Sequence, residues 1–342
     1  MSVFTLDILW YLVLATAVVF YAVLDGFDLG VGSLQLFARD DKERRIFLNS
    51  IGPVWDGNAV WLVIIGGALF AGFPEAFATV FSSFYVFSFL LLFGLIFRAV
   101  SIEFRSKHES KRWRRNWDIA FCLASILISF GTGLVLGNLI EGIPLDANKD
   151  FTGSFVGFIR PYPIFFGLTT VALFAMHGAI YLVMKTDGDL QDYLKTLAKK
   201  TIWTFILCFF VLTLATFYNA PYMTWRMWEF PVLFLIPFAA LLIILNIPRQ
   251  MHKNNSGWAF ISSCLGILGL LSLFAIGSFP TLVRSSINPA EYSLTVSNSA
   301  SSELTLTILL IIVLIGIPLV LAYGAYIYRI FRGKVILDDH SY

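Results

Sequence analysis

The sequence predicts an all-α integral membrane protein of nine transmembrane helices, and two observations carry that prediction. Of the 342 residues, 58% are hydrophobic and only 13% charged, whereas soluble domains run at roughly 45–50% apolar and about 25% charged. The apolar residues also gather into runs near the ~20 residues that span a bilayer. The short alternating strands of a membrane barrel are missing.

In chain order the predicted spans are 6–37, 53–72, 76–104, 117–140, 161–185, 200–218, 230–247, 257–279 and 304–331. The first apolar run, Ile8 to Leu24, lacks a basic stretch before it and a small-residue cleavage site after it, so it is expected to stay as the first helix. Runs longer than the hydrocarbon thickness imply tilt or extension into water. The chain, 1–342, reads as one polytopic membrane domain with halves at 1–140 and 161–279. That arrangement amounts to two four-helix bundles plus a peripheral helix at 304–331. "FYAVLDGFDLG" and "LFAMHGAIYLV" share aromatic and small-residue spacing, a slight sign of internal repetition. Gly66-Gly67 and Gly131-Thr132-Gly133 are expected to let helices pack closely.

The loops orient the bundle. Arg39, Lys42, Arg44 and Arg45 follow the first span; Arg105, Lys107, Lys111, Arg112, Arg114 and Arg115 follow the third. Lys185, Lys195, Lys199, Lys200, Arg249, Lys253, Arg329, Arg332 and Lys334 fall on that same side, and the opposite side carries only Lys149, Arg160, Arg226 and Arg284. The positive-inside rule then puts the amino end outside and the carboxyl end in the cytoplasm. The formal net charge of +2 hides this asymmetry. Basic residues spread over lipid-facing loops argue for headgroup contact and against a nucleic-acid surface. Trp113, Trp117, Trp225, Trp228 and Trp258 fit an interfacial belt. Cys122, Cys208 and Cys264 lack any paired spacing and read as small buried residues.

The chemistry is expected in ionisable residues within the spans, which are costly in hydrocarbon unless paired, protonated or wet. "LDGFDLGVG" sets Asp25 and Asp28 three apart, on one face of the first helix. That helix runs inward, so both acids fall in its cytoplasmic half. Asp56, in "GPVWDGNAVWL", sits in the first turn of the second helix, and Arg98 near the inner end of the third. All four are thus expected at one depth. Asp56 could instead serve the helix dipole, and Arg98 could snorkel. Two acids on one membrane face are harder to assign to packing, and the glycines around them would give water or another helix room. Trp55 and Asn58 would flank Asp56, with Asn58 orienting water or a carboxylate. His177, in "FAMHGAIY", is the only histidine expected deep in a span. It could ligate haem, but with no second histidine at its depth the expected role is a hydrogen bond across helices.

Together, "LDGFDLGVG", "NSIGPVWDGNAVWLVIIGGALFAGFP", "FRAVSIEFRSK" and "RWRRNWD" resemble subunit II of cytochrome bd quinol oxidase. The resemblance runs the length of the chain, to "SSELTLTILL" at the opening of the last helix. One departure is Ala59, where relatives often carry Glu or Gln after "WDGN". The resemblance implies a subunit of a respiratory terminal oxidase in the bacterial cytoplasmic (inner) membrane. That complex oxidises quinol at the outer face, draws protons from the cytoplasm and reduces dioxygen to water. Haems b and d would lie in partner subunit I; this chain would bind no haem, form a pseudosymmetric heterodimer with subunit I and help retain its haem centres. A small single-helix accessory subunit is common, and a structural quinone or lipid is compatible. No catalytic residue is implied in this chain, but Asp25, Asp28, Asp56 and Arg98 match positions proposed to line a proton path. From the residues alone two other classes stay open. One is a secondary transporter with ion-binding carboxylates, which mid-span Pro237 and Pro318 fit poorly as matched helix breaks. The other is a structural subunit whose acids only pair between helices.

Overall fold

A computed structural model describes residues 5–337. Among them, nine helices are long and apolar enough to cross a membrane: α1 (Leu6–Leu34), α3 (Trp55–Gly72), α5 (Tyr85–Phe104), α6 (Lys111–Glu141), α7 (Pro161–Lys185), α8 (Gly188–Asn219), α10 (Leu235–His252), α11 (Ser256–Ser278) and α13 (Glu303–Ile330). Short helices α2 (Asp41–Ile51), α4 (Pro74–Ser83), α9 (Trp225–Glu229) and α12 (Pro289–Tyr292) connect them.

Several boundaries differ from the sequence expectation. The run 76–104 is two helices: Pro74 opens α4 at its first position, where the missing N–H costs nothing, and the chain breaks at Phe84 before α5. Helices α6 and α8 begin before the apolar runs 117–140 and 200–218. Their charged first turns continue past the hydrocarbon, where apolarity no longer marks a helix. Asp41–Ile51, read as loop, is the amphipathic helix α2. Asp40 Oδ1 accepts the Glu43 N–H at 2.8 Å, and Glu43 Oε2 accepts the Arg39 N–H at 2.7 Å. These reciprocal bonds satisfy orphan donors at the helix start, while Phe47, Leu48 and Ile51 bury the other face. Pro237 lies in the first turn of α10, not mid-span.

Helices α1 and α7 form the centre. The first packs on α3, α6, α7 and α11, and the second also on α6, α8 and α11. They cross at Gly30 and Gly178, where a Cβ on either residue would overlap the other helix's backbone. Gly26 meets the Phe174 ring and Gly32 meets Ser125. The glycines of "DGFDLGVG" therefore admit neighbouring helices rather than water. Gly133 likewise abuts Thr170 of α7, but Gly66, Gly67 and Gly131 touch no other helix among the described residues, against the packing role expected for them. Helix α13 lies at the edge, touching α1 and α3 and keeping most of its apolar surface outward. At the basic-loop end two lysines cap each other's helices. Lys185 Nζ donates to Phe331 O beyond α13 (2.7 Å), and Lys334 Nζ donates to Met184 O and Thr186 O at the end of α7 (2.9 and 2.6 Å). Cations suit these carbonyl-rich helix ends. At the other end, β1 (Thr281–Val283) pairs antiparallel with β2 (Leu294–Thr295), and Ile143 bridges to Ser285. Of the cysteines only Cys122 is buried; Cys208 and Cys264 are half-buried, correcting the expectation for those two.

A buried carboxylate–arginine cluster as candidate functional site

Asp25 and Asp28 project from α1 toward α3 and α5, and both are fully buried. Arg98 reaches them from α5. Its Nη1 donates to Asp25 Oδ2 at 2.9 Å and its Nη2 to Asp25 Oδ1 at 2.6 Å, an end-on bidentate pair. Such pairs are strong and geometrically specific. The distance from Arg98 Nη2 to Asp28 Oδ2 is 3.8 Å, too long for a hydrogen bond. Asp28 has a different partner: Asn58 Nδ2 donates to its Oδ2 at 2.7 Å and also approaches Leu24 O at 3.3 Å. Because a backbone carbonyl can only accept, this contact fixes which way the Asn58 amide points. Its Oδ1 is then free to accept from the Tyr328 hydroxyl at 2.9 Å. The Trp55 ring lies beside the guanidinium, 5.9 Å from its centroid. Four helices, α1, α3, α5 and α13, thus meet at one polar centre inside an apolar bundle.

Asp56 is not part of this centre. Residues two apart on a helix point to nearly opposite sides, so burying Asn58 turns Asp56 outward. Its exposed carboxylate stands in the first turn of α3, where the helix dipole favours it, and forms no hydrogen bond or ion pair with the described residues. Arg98 does not pair with it; both terminal nitrogens of the guanidinium are on Asp25. Asp56 shares its face with Val60, Val63 and Phe70, all exposed.

A second buried cluster, nearer the basic loops, joins α2 and α6 to the 3-10 turns that follow α1 and α5. Asp118 Oδ1 accepts from Gln35 Nε2 at 2.7 Å and from Arg105 Nε at 2.6 Å, and its Oδ2 from Arg105 Nη2 at 3.2 Å. Arg105 Nη2 also donates to Asp41 Oδ1 at 2.7 Å, and Arg114 Nη1 to Asp41 Oδ2 at 2.8 Å. Partial burial opposes ionisation of Asp41, but Arg105 and Arg114 outweigh it and hold the carboxyl below the usual carboxylate range. In the sequence Arg105 reads as an orienting loop charge, Asp118 and Tyr21 stand inside quoted motifs without a role of their own, and Gln35 and Tyr328 carry no signal. Helical spacing was the available signal for one of them: Tyr21 lies one turn before Asp25 on the same face.

The family model of cytochrome bd terminal oxidase subunit II matches residues 6–331. The chain is 32% identical to cytochrome bd-I ubiquinol oxidase subunit 2 of Escherichia coli K12 over 365 residues, covering 98% of this chain and 96% of that one. It is also 32% identical to cytochrome bd ubiquinol oxidase subunit 2 of Bacillus subtilis over 330 residues, covering 96% of each. The chain belongs to the cytochrome bd terminal oxidase subunit II family. The bd oxidase structure from Geobacillus thermodenitrificans shares its fold, with a TM-score of 0.78 at 18% identity over 96% of this chain and 99% of that one. Family membership and the nine apolar helices make it a multi-pass protein of the bacterial inner membrane and a subunit of a respiratory-chain oxidase.

The haem question turns on His177, which is fully buried. Its Nε2 lies 3.0 Å from Val23 O and its Nδ1 2.7 Å from Ser263 Oγ. A carbonyl only accepts, so Nε2 carries the hydrogen and donates it. Both nitrogens are engaged by the protein, and the ring stacks on Phe260 at 4.9 Å. Both contacts run from α7 to a neighbouring helix, Val23 on α1 and Ser263 on α11. No group of three His, Cys, Asp or Glu among the described residues is placed to hold a metal ion.

Proposed function

We propose that this chain is subunit II of a quinol:dioxygen oxidoreductase, pairs with a haem-bearing subunit I, and conducts protons toward it from the cytoplasmic side. The observation that carries the proton role is the Asp25–Arg98–Asp28 centre. Two carboxylates and one guanidinium, all buried, are held within the bundle's apolar interior, Asp25 by Arg98 and Asp28 by Asn58. The centre lies toward the basic-loop end of the bundle, which the positive-inside rule makes cytoplasmic, and that supports proton uptake from this side. In this reading Asp56 acts at the boundary with subunit I. It is the charged residue on an exposed apolar face of α3, which a second subunit would cover. Trp55 and Asn58 support the path, the first by covering Arg98 and the second by fixing Asp28. Haems b and d belong to the partner, along with quinol oxidation and dioxygen reduction; a single-helix accessory subunit and bound quinone or lipid are compatible. The two halves 1–140 and 161–279, with 304–331 outside them, fit the pseudosymmetric arrangement that such a pairing favours.

The test uses Asp56→Asn in the assembled complex. Asn retains shape and capping ability but exchanges no proton. The expected result is full haem content with quinol-driven oxygen consumption lowered by an order of magnitude or more. Normal turnover in that variant removes Asp56 from the path. Joint loss of haem and activity assigns it to the subunit interface instead.

A further inference from the structure

We propose that Asp28, not Asp25, holds the exchangeable proton of the buried centre, on its Oδ1. The exchange runs through a water site bounded by Asp28 Oδ1, the Nε–Nη2 edge of Arg98 and the Tyr21 hydroxyl. This rests on the proton-conducting reading above and divides the labour within it.

Charge balance is the starting point. One guanidinium cannot neutralise two carboxylates, and an uncompensated charge in a buried site is avoided by taking up a proton. Asp25 has both oxygens on Arg98 and is held as the permanent counter-ion. Asp28 is 3.8 Å from the same cation, so the proton belongs to it. Its two oxygens are not equivalent. Oδ2 accepts from Asn58 and therefore acts as the carbonyl oxygen, while Oδ1 is buried without a partner. The hydroxyl of a protonated Asp28 is thus Oδ1–H, and it needs an acceptor.

The surrounding atoms identify that acceptor. Arg98 Nε is also buried and unpartnered, and the buried Tyr21 hydroxyl, beside Asp25, has no other partner. Nε and Asp28 Oδ1 are thus both left without a protein partner in one ion cluster, and a buried water takes two to four polar partners. Here it would accept from Arg98 Nε–H and from Asp28 Oδ1–H and donate to the Tyr21 oxygen, which lies within electrostatic reach of Asp25, Asp28 and Arg98. The titratable or charged groups facing Asp28 are Asp25, Arg98, Tyr21, Tyr181 and Tyr328. Beyond Tyr21 lies an apolar groove of about 1700 Å³ lined also by Ala22, Phe174 and Leu271, which offers water few polar partners. Tyr21 therefore closes the polar region. Exchange is one for one: the water takes the Oδ1–H proton and returns one of its own to Oδ1, so the charge of the centre is unchanged.

Infrared difference spectra of the assembled oxidase, recorded in H₂O and D₂O, test this. The expected result is a deuterium-sensitive protonated-carboxyl band that disappears in Asp28→Asn. It should shift in Asn58→Ala, because Asn58 touches Asp28 and not Asp25, and shift again in Tyr21→Phe. A band unmoved by Asn58→Ala places the proton on Asp25 and overturns the proposal, as does the absence of any such band. If Asn58→Ala fails to retain haem, Tyr328→Phe reads the same hydrogen bond from outside the centre. Turnover separates the two claims. A band that behaves as expected while Asp28→Asn respires normally leaves the site intact and removes it from the path. Slowed turnover with a band indifferent to Asn58 and Tyr21 keeps the path and sinks this assignment.

Discussion

The chain buries two charge clusters at the same end of the bundle, and they are built on opposite balances. In the first, two carboxylates share one guanidinium, and an oxygen of Asp28 is left over. In the second, Arg44, Arg105 and Arg114 surround Asp41 and Asp118, and every carboxylate oxygen has a partner. The leftover atoms there are Arg105 Nη1, Arg44 Nε and Gln35 Oε1, none of them on a carboxylate. That difference decides what each cluster can do. A spare nitrogen on a guanidinium cannot give up its proton at any physiological pH, so the cation-rich cluster can only clamp helices. A spare carboxylate oxygen can gain and lose one, so the acid-rich cluster can conduct.

The comparison breaks first at Arg98. Arg98→Gln leaves the Asp25 carboxylate buried without its cation, and removing one partner of a buried pair costs about 3–5 kcal/mol. The complex is expected to lose most of its haem and its apparent Tm to fall sharply. Adding Asp25→Asn to that variant should recover part of the loss, since it removes the stranded charge. An Arg98→Gln oxidase as heat-stable as the parent would show that the cation does not balance this site. Asp118→Asn sharpens the contrast with a smaller effect of about 3 kcal/mol, at the low end of the same range. It should lower the Tm while leaving oxygen consumption per haem unchanged. Asp28→Asn should do the reverse. If both variants lose turnover to the same degree, the two clusters do not differ in kind.

The sequence disclosed the parts of this contrast unevenly. Span count and the approximate position of each helix were legible, because about 20 apolar residues is a condition the bilayer itself imposes. Asp25 and Asp28 were legible for the same reason, as carboxylates are rare inside a span. What could not be read was direction around a helix. The motif "WDGN" holds one residue facing the cluster and one facing away, and hydrophobicity on both sides of α3 hides which is which. The aspartate drew attention, yet the asparagine two places on makes the contact. The second cluster was missed because its residues sit where spans meet loops, where charge is expected and the positive-inside rule absorbs it. Gln35 and Asp118 are 83 positions apart, and their pairing follows from the packing of α1 on α6, which no local pattern encodes.

The next effect is steric. Gly30→Ala places a methyl against the Phe174 carbonyl and the Gly178 backbone, forcing α1 off α7. Overpacking of this kind costs roughly 1–3 kcal/mol. Because α1 carries both acids, the Tm should fall and the carboxyl band should broaden together. A Tm loss with an unchanged band would mean that the α1–α7 crossing does not set the geometry of the centre.

The smallest effect is expected at Asp41, the exposed rim of the clamp. Its side chain is 44% accessible, so its pairs with Arg105 and Arg114 are screened and amount to about 1 kcal/mol or less. The sign follows from the lowered carboxyl. A group whose folded value lies below its unfolded value, near 3.9, contributes stability that is fully present above about pH 4 and lost as the pH falls through the folded value. The Tm of Asp41→Asn should therefore lie slightly below that of the parent at pH 7, with the gap closing as the buffer is taken well below pH 4. It should narrow with added salt as well, since these are partly exposed charges. A gap that persists unchanged at low pH would mean that Asp41 acts through shape at the start of α2, and that the clamp's electrostatic part ends at the buried Asp118–Arg105 pair.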